Sequence, residues 1–579
     1  MSEKFKSKPN MIYPQMYVDN FRELLNNTLE RFPDKVAFSY KKDATSKTPE
    51  YINVTYKQHY EDIKNLGTKL LDLGLEEKKV GLIGHNKYQW PVSYQAVNNS
   101  NMICVPLDYM LPENEIENLL VRSGCEAIIF DGKFLDIFKN IKNRNTTNLK
   151  YYICMDLNED LDGILSFYNL IKQGKSLCEN GNTSFDNIQI DSNKTSVMIF
   201  TSGTTDIAKA VMLSQRNICS NFSAMTSLIK AQEGDKVLSF LPLHHTFECT
   251  ATYLFSFFTG FTICYCDGLK HIPKNMNEYG ISGLVCVPAL LEVMYRQINK
   301  TIKNKGLTIP FKIMMAVSNF LYFLHIDVRR KMFKSILDNL GGKIRIIIYG
   351  SASVDKKITK FFTSMGIKML QGYGLTETSP VISCENDKYQ RAGSCGHVLF
   401  NQDVEIVDKD ENGIGEITVK GPNIMLGYYN NEEKTKEVLI DGYFHTGDLG
   451  YIDKDGYLFV TGRIKDMIVL KNGKKIFPQE MEILLNESTL IEESFVYLSN
   501  DEDSKISAKL VYSTENEELS GKTESEIYEL LKNEVKLVNS KIPSYKYIKN
   551  IQITTEPLIK TTTQKIKRHE EMAKISVTK

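Results

Sequence analysis

The chain has 579 residues, with 71 Lys+Arg set against 71 Asp+Glu, so no global basic field draws it to nucleic acid or to an anionic membrane. Its composition, 42% hydrophobic and 25% charged, is ordinary for a soluble globular protein. At roughly 150 residues per domain, the length fits about two to four structural units.

The opening MSEKFKSKPNMIYPQ is polar and has no apolar core of signal-peptide length. Residues 79–83 (KVGLI) read as a strand, 90–98 as a helix, 102–106 as a strand, 113–122 as a helix and 127–130 as a strand. This alternation predicts βαβ units around a largely parallel sheet. Residues 197–200 (VMIF) form another strand, followed by a helix over 215–230. The longest apolar stretch, 253–265, falls short of the ~20 residues of a membrane span and reads as a buried strand or helix. Strands are then expected at 237–241, 283–287, 345–349 and 368–370, several running into small residues, as where ligands bind at strand ends. From about residue 395 the pattern changes to short strands (404–407, 415–420, 457–461) divided by turns such as Asp410-Glu411-Asn412-Gly413, predicting an antiparallel β unit. Beyond Ile464-Lys465 the chain is Lys-rich, with one amphipathic helix over 524–538. The expected architecture is α/β: a large N-terminal domain (1–463) and a small, mobile α+β domain (464–579). The eleven cysteines show no CxxC pair and no histidine cluster, which argues against zinc. Their odd number, without an export signal, fits reduced thiols in a cytoplasm.

Strand 197–200 leads into Thr201-Ser202-Gly203-Thr204-Thr205. Hydroxyl side chains around a glycine let several N–H groups converge on an anion, and Lys209 adds a point charge. No Walker loop is present, and an ordinary Ser/Thr-rich turn also accounts for these residues. Further segments follow in order: Leu241 to Glu248 (LPLHHTFE), Gly350-Ser351-Ala352, Gln371 to Pro380 (QGYGLTETSP), Tyr443 to Asp448 (YFHTGD), Gly462 to Asp466 (GRIKD) and Thr561 to Arg568 (TTTQKIKR).

With these motifs the chain resembles the acyl-adenylate-forming (AMP-binding) superfamily, and most closely its bacterial long-chain fatty acid–CoA ligases, over roughly residues 20–568. The resemblance implies that a carboxylic acid and ATP form acyl-AMP and pyrophosphate, and that the thiol of CoA then takes the acyl group. It implies Mg²⁺ on Glu377, the Thr376 hydroxyl on the α-phosphate, and an adenine slot walled by Gly350-Ser351-Ala352 and by Gln371 with Gly372-Tyr373-Gly374. It also implies ribose binding by Asp448, with Arg463 on the same ribose or the phosphate, a hinge at Lys465, one of His244 and His245 (His245 the better match) beside the reacting carboxylate, and Lys565 as the catalytic lysine. For a lysine taken alone, a solvated basic tail of Lys560, Lys565 and Lys567 is the competing explanation.

Two stretches depart from the family pattern. Asp206-Ile207-Ala208-Lys209-Ala210 stands where Gly-x-Pro-Lys-Gly is usual, bringing a negative charge towards triphosphate and losing two glycines. Gln564 stands where glycine is usual. The expectation is an active enzyme with altered nucleotide affinity. Apolar segments 253–263, 285–294 and 315–324 are candidates for the walls of a hydrocarbon channel, although any core has the same appearance. Two other functions fit the sequence: loading of a separate acyl carrier protein, and catalytically weak acyl or nucleotide binding. Peripheral membrane contact is compatible with an insoluble substrate, and oligomeric state is not legible.

Overall fold

The computed structural model describes residues 11–201, 208–350, 354–470, 474–499, 505–516, 518–561 and 565–577. Ser202, Gly203, Thr204, Thr205 and Asp206 of the expected phosphate loop lie outside them, as do Ser351, Ala352 and Gln564.

Two large sheets form the body. One has nine strands, in the order His397–Val398, Val381–Cys384, Lys368–Gly374, Ile346–Tyr349, Gly283–Cys286, Lys236–Ser239, Thr262–Tyr265, Val36–Lys41 and Tyr51–Thr55. Its six central strands are parallel, and antiparallel strands close both edges. The other has eight strands, in the order Gly427–Tyr428, Lys209–Ser214, Thr195–Thr201, Ile103–Pro106, Lys79–Ile83, Ala127–Phe130, Tyr151–Cys154 and Leu165–Ser166. Strands such as Ile346–Tyr349 and Ala127–Phe130 are buried along their whole length, which is why they read as continuous apolar runs. Helices Phe21–Arg31, Tyr56–Asp72, Gln89–Asn99 and Gln215–Met225 contribute Leu24, Ile63, Trp90 and Phe222 to the largest core. None of the eleven cysteines is in a disulfide, and the nine that are buried serve as small apolar fillers.

A five-stranded antiparallel sheet follows, built from Asp403–Val407, Gly415–Lys420, Leu439–Ile440, Tyr443–Ile452 and Leu458–Arg463. Last comes a unit with its own core, in which strands Glu493–Leu498, Ile506–Val511 and Asn550–Thr554 pack on helices Pro478–Leu485 and Glu524–Asn539 through Met481, Leu510 and Leu531. The α/β class and the antiparallel β unit are as expected from sequence.

Three expectations need correction. Helix Gln215–Met225 stops five residues before residue 230. Strand Lys368–Gly374 continues through the glycines that sequence reading placed after it, because Gly372 and Tyr373 pair with Cys384 and Ser383. Of the proposed channel walls, 315–324 is only partly interior: on helix Thr308–Phe323 it turns Met315 and Ser318 inward but leaves Phe320 60% and Phe323 77% exposed. Segments 253–263 and 285–294 are mostly packed into the two cores. The first of them starts in the last residues of a π-helical segment, Phe247–Leu254, and continues through helix Phe255–Thr259 into strand Thr262–Tyr265.

Candidate active site

Strands Lys236–Ser239, Ile346–Tyr349 and Lys368–Gly374 are parallel, so their carboxyl ends point the same way, and the candidate residues gather beyond those ends. Gly350 follows the second strand, where a Cβ would stand 3.1 Å from the Gly372 carbonyl oxygen. On Gly374 a Cβ would collide with the Pro380 carbonyl. The two segments therefore approach as closely as bare backbone allows, which suits a flat slot. Gln371 is turned to other work: its amide group contacts the Tyr349 hydroxyl and the Cys395 sulfur, and its backbone N–H donates to Glu385.

Tyr373 donates from its hydroxyl to Asp448 Oδ2 at 2.8 Å, and Arg463 Nε donates to Asp448 Oδ1 at 2.8 Å. Asp448 is 4% exposed, and its charge, acting against the cost of burial, raises the Arg463 pKa above the usual value. A carboxylate with both oxygens anchored in this way has its remaining lone pairs fixed in direction.

Glu377 stands on the one-turn helix Thr376–Thr378 and accepts a hydrogen bond from the Tyr428 hydroxyl at 3.0 Å. Tyr428 reaches it because Gly427–Tyr428 extends the eight-stranded sheet, pairing with Met212 and Val211. Lys209 Nζ lies 5.3 Å from the centre of the same tyrosine ring. The Lys209 pKa is lowered, first by burial and then by Lys434 and Lys465, with Glu377 and Glu437 opposing. Lysines 209, 434 and 465 thus concentrate positive charge beside the Glu377 carboxylate, an arrangement suited to a polyanion. Thr201 approaches this group from its own strand, its hydroxyl 3.4 Å from the Lys209 carbonyl oxygen. Thr376 and Thr246 place their hydroxyls 3.4 Å apart.

His245 is half-buried, and its pKa is pushed down to about 3 by burial, by His244 and by Lys565. It is therefore a neutral hydrogen-bonding group throughout the physiological range. The loop carrying it is fixed from below. Asn86 Nδ2 donates to the Leu241 carbonyl at 2.6 Å and to Ser239 Oγ at 2.9 Å, and Asn86 Oδ1 accepts from Leu243 N. Ser239 in turn donates to Glu248 Oε1 at 2.6 Å, and Thr252 donates to Oε2 at 2.7 Å. Glu248 is fully buried, and burial lifts its pKa to about 8 against the opposing hydrogen bonds. Between its ordinary 4.5 and about 8, the folded protein keeps a proton that the unfolded chain releases, so stability falls as pH rises through that window. Glu248→Gln is expected to flatten that fall. Thermal midpoints measured from pH 5 to 9 check it, and parallel curves for the two proteins would locate the effect elsewhere.

Lys565 comes from the C-terminal unit. Thr561 and Lys565 close a short turn (Thr561 N–H to the Lys565 carbonyl, 2.8 Å; Lys565 N–H to Thr561 Oγ1, 3.1 Å). The turn is secured by Glu571, which accepts from Ile559 N at 2.6 Å and pairs in the interior with Lys509 at 2.9 Å. Of the three lysines of the tail, Lys560 pairs with Glu493 and Lys567 with Glu570. Lys565 instead feels Arg463, Asp448 and Glu377; crowding by protein atoms, then Arg463, holds its pKa below the ordinary lysine value. Although the residue is exposed, its ammonium lies within electrostatic reach of Asp448, Glu377 and His245. This juxtaposition argues against a mere solvated tail.

Sequence reading missed Tyr428, Thr246, Lys434, Asn86 and Glu248 as contributors. Only Thr246 and Glu248 lie inside a motif it quoted; the others reach the site through pairings distant in sequence.

The arrangement provides a backbone-walled slot, an anchored carboxylate and a lysine delivered from a second unit, and solved structures share its fold. The chain superposes on an anthranilate CoA ligase in complex with anthranoyl-AMP with a TM-score of 0.76, at 19% identity over 98% of this chain and 99% of that one. It superposes on ATP-bound MatB from Rhodopseudomonas palustris with a TM-score of 0.72, at 20% identity over 96% and 99%. The family model described as AMP-binding enzyme matches residues 25–429, and that described as AMP-binding enzyme C-terminal domain matches 465–575. The chain belongs to the AMP-binding enzyme family, as an acyl-adenylating member. Its curated relatives include a chloroplastic long-chain-fatty-acid–[acyl-carrier-protein] ligase of Arabidopsis thaliana (28% identical, covering 82% of this chain and 74% of that protein). They also include fatty acyl-CoA synthetase B of Dictyostelium discoideum (27%; 92% and 85%) and long-chain-fatty-acid–CoA ligase 5 of Rattus norvegicus (29%; 77% and 69%).

Proposed function

We propose that this enzyme activates a long-chain fatty acid with ATP through acyl-AMP and transfers the acyl group to CoA, releasing pyrophosphate and AMP. The observation that carries this reading is that Lys565, from the C-terminal unit, stands within electrostatic reach of Asp448, Glu377 and His245. Long-chain specificity is supported by the names of the curated relatives and by the 241–248 motif.

In the first step a carboxylate oxygen attacks the α-phosphorus as the bond to pyrophosphate breaks. Two anions must approach, so the Lys565 ammonium, close to both, offsets their repulsion. Neutral His245 orients the acid without adding charge. Thr376 donates to the α-phosphate, Thr201 and Lys209 serve the phosphates together with Ser202, Gly203, Thr204 and Thr205, and Asp448 accepts from the ribose hydroxyls. Gly350, Ser351 and Ala352 wall the adenine with Gly372, Tyr373 and Gly374. One carboxylate beside lysines, with phosphate oxygens completing the shell, is a donor set that fits Mg²⁺, which takes few protein ligands. Glu377 would hold it, and the ion would supply charge neutralisation on the phosphates. In the second step the thiol sulfur attacks the acyl carbonyl and AMP leaves. We place this activity in a cytoplasm, on the strength of eleven cysteines of which none is in a disulfide. The domains are proposed as 1–463 and 464–579, hinged at Lys465.

The 28% identical acyl-carrier-protein ligase favours a second reading, transfer to a separate carrier protein. Pyrophosphate release across acids from acetate to palmitate, with CoA or acyl carrier protein as acceptor, decides between them. No carboxylate-dependent release with either acceptor would overturn both. Glu377→Gln is expected to lower Mg-ATP-dependent turnover about 100-fold. Steady-state kinetics check this, and unchanged rates would remove Glu377 from the site.

A further inference from the structure

Helix Thr308–Phe323 (TIPFKIMMAVSNFLYF) carries a single charged residue, Lys312. Phe311 and Ser318 face the interior, with Met314 and Met315 packed against the second core. The opposite face is equally apolar but stands in solvent: Ile309 is 72% exposed, Ile313 58%, Phe320 60% and Phe323 77%, with Val317 and Leu324 between and beyond them. A helix apolar on all sides belongs in an apolar surround, and a contiguous exposed patch of this kind marks an interaction surface. No helix among the described residues is long and apolar enough to cross a membrane, so the helix lies on its partner and does not span it.

Charge identifies the partner. Overall the protein is neutral, yet residues 288–334 hold nine Lys or Arg and only two acids, Glu292 and Asp327. Lys303, Lys305, Lys312 and Lys331 are all exposed around the apolar face. An apolar ridge with a cationic rim is the signature of a surface that enters the headgroup region of an anionic bilayer. A second copy would bring the same basic rim against itself. A folded acidic protein would want polar pairing across the contact, which six protruding apolar side chains do not offer.

We infer that helix Thr308–Phe323 is a docking surface for anionic lipid bilayers, with Ile309, Ile313, Phe320 and Phe323 entering the interface and the flanking lysines meeting lipid phosphates. This rests on the surface alone and holds whichever acid the enzyme activates.

The test is co-sedimentation of the full chain with vesicles of phosphatidylcholine alone or with about 30% phosphatidylglycerol. Wild type is expected to sediment with the anionic vesicles and to be released by salt. The F320Q/F323Q double variant is expected to lose about tenfold or more in partitioning, and a variant with Lys303, Lys305 and Lys312 all changed to Gln is expected to lose the dependence on anionic lipid. Circular dichroism melts confirm that each variant is folded. Wild type remaining in the supernatant with both vesicles, or sedimentation unchanged in F320Q/F323Q, overturns the inference. So does light scattering that shows a wild-type dimer dissolved by F320Q/F323Q, which would assign the face to a second copy.

Discussion

With Lys565 replaced by alanine, acyl-AMP formation is expected to fall about 1,000-fold, while thioester formation from supplied acyl-AMP stays near wild type. The asymmetry follows from charge. In the proposed site adenylation brings a carboxylate to a phosphate beside the negative charges of Asp448 and Glu377, and Lys565, within electrostatic reach of both, is the cation the C-terminal unit would supply there. Thiol attack on a neutral acyl carbonyl needs no such bridge. Carboxylate-dependent pyrophosphate exchange measures the first step, and thioester formation from acyl-AMP measures the second. An equal loss in both would show that Lys565 holds the architecture instead of serving adenylation. The lowered pKa adds a second readout. Because the bridge requires the protonated amine, the alkaline limb of the adenylation rate is expected below the ordinary lysine range near 10.4. Lys565→Arg, which cannot deprotonate there, is expected to remove that limb.

What sequence reveals about this site follows the range of the interactions involved. Strands such as Lys79–Ile83 and Ala127–Phe130 were legible to the residue because buried parallel strands, here all but the half-buried Lys79, announce themselves as apolar runs. The motif around Gln371 to Pro380 was legible as a string, but its local conformation was not. The strand continues through Gly372 because its partner, Val381–Cys384, folds back against it, and pairing overrides the usual reading of glycine as an end signal. Tyr428 was illegible for a related reason: it meets Glu377 only because a two-residue strand joins the far sheet at Met212. Glu248 looked like any acid beside a histidine motif. Its carboxyl accepts from Ser239, which is itself held by Asn86, and the sequence does not show either pairing. For 315–324 the sequence left channel wall and core both open and showed neither the exposure of Phe320 nor that of Phe323, since it gives hydrophobicity but not which side is covered.

Asp448→Ala is expected to lower kcat/KM for ATP about 100-fold, mostly through KM, with the acid and acceptor KM values little changed. The buried carboxylate accepts from Tyr373 and Arg463 at 2.8 Å each, so the proposed ribose acceptor is already oriented before ATP arrives. Alanine removes the acceptor and leaves two donors converging on an empty position. Asn at 448 is the informative comparison. It keeps an oxygen for one donor but loses the charge, and its amide meets Arg463 unfavourably, so most of the loss should persist. A variant that instead restored ATP affinity would show that shape, not charge, fixes the ribose. If Ala raised the KM for the acid as much as that for ATP, Asp448 would be organising the cleft as a whole, and its assignment to the nucleotide would fall.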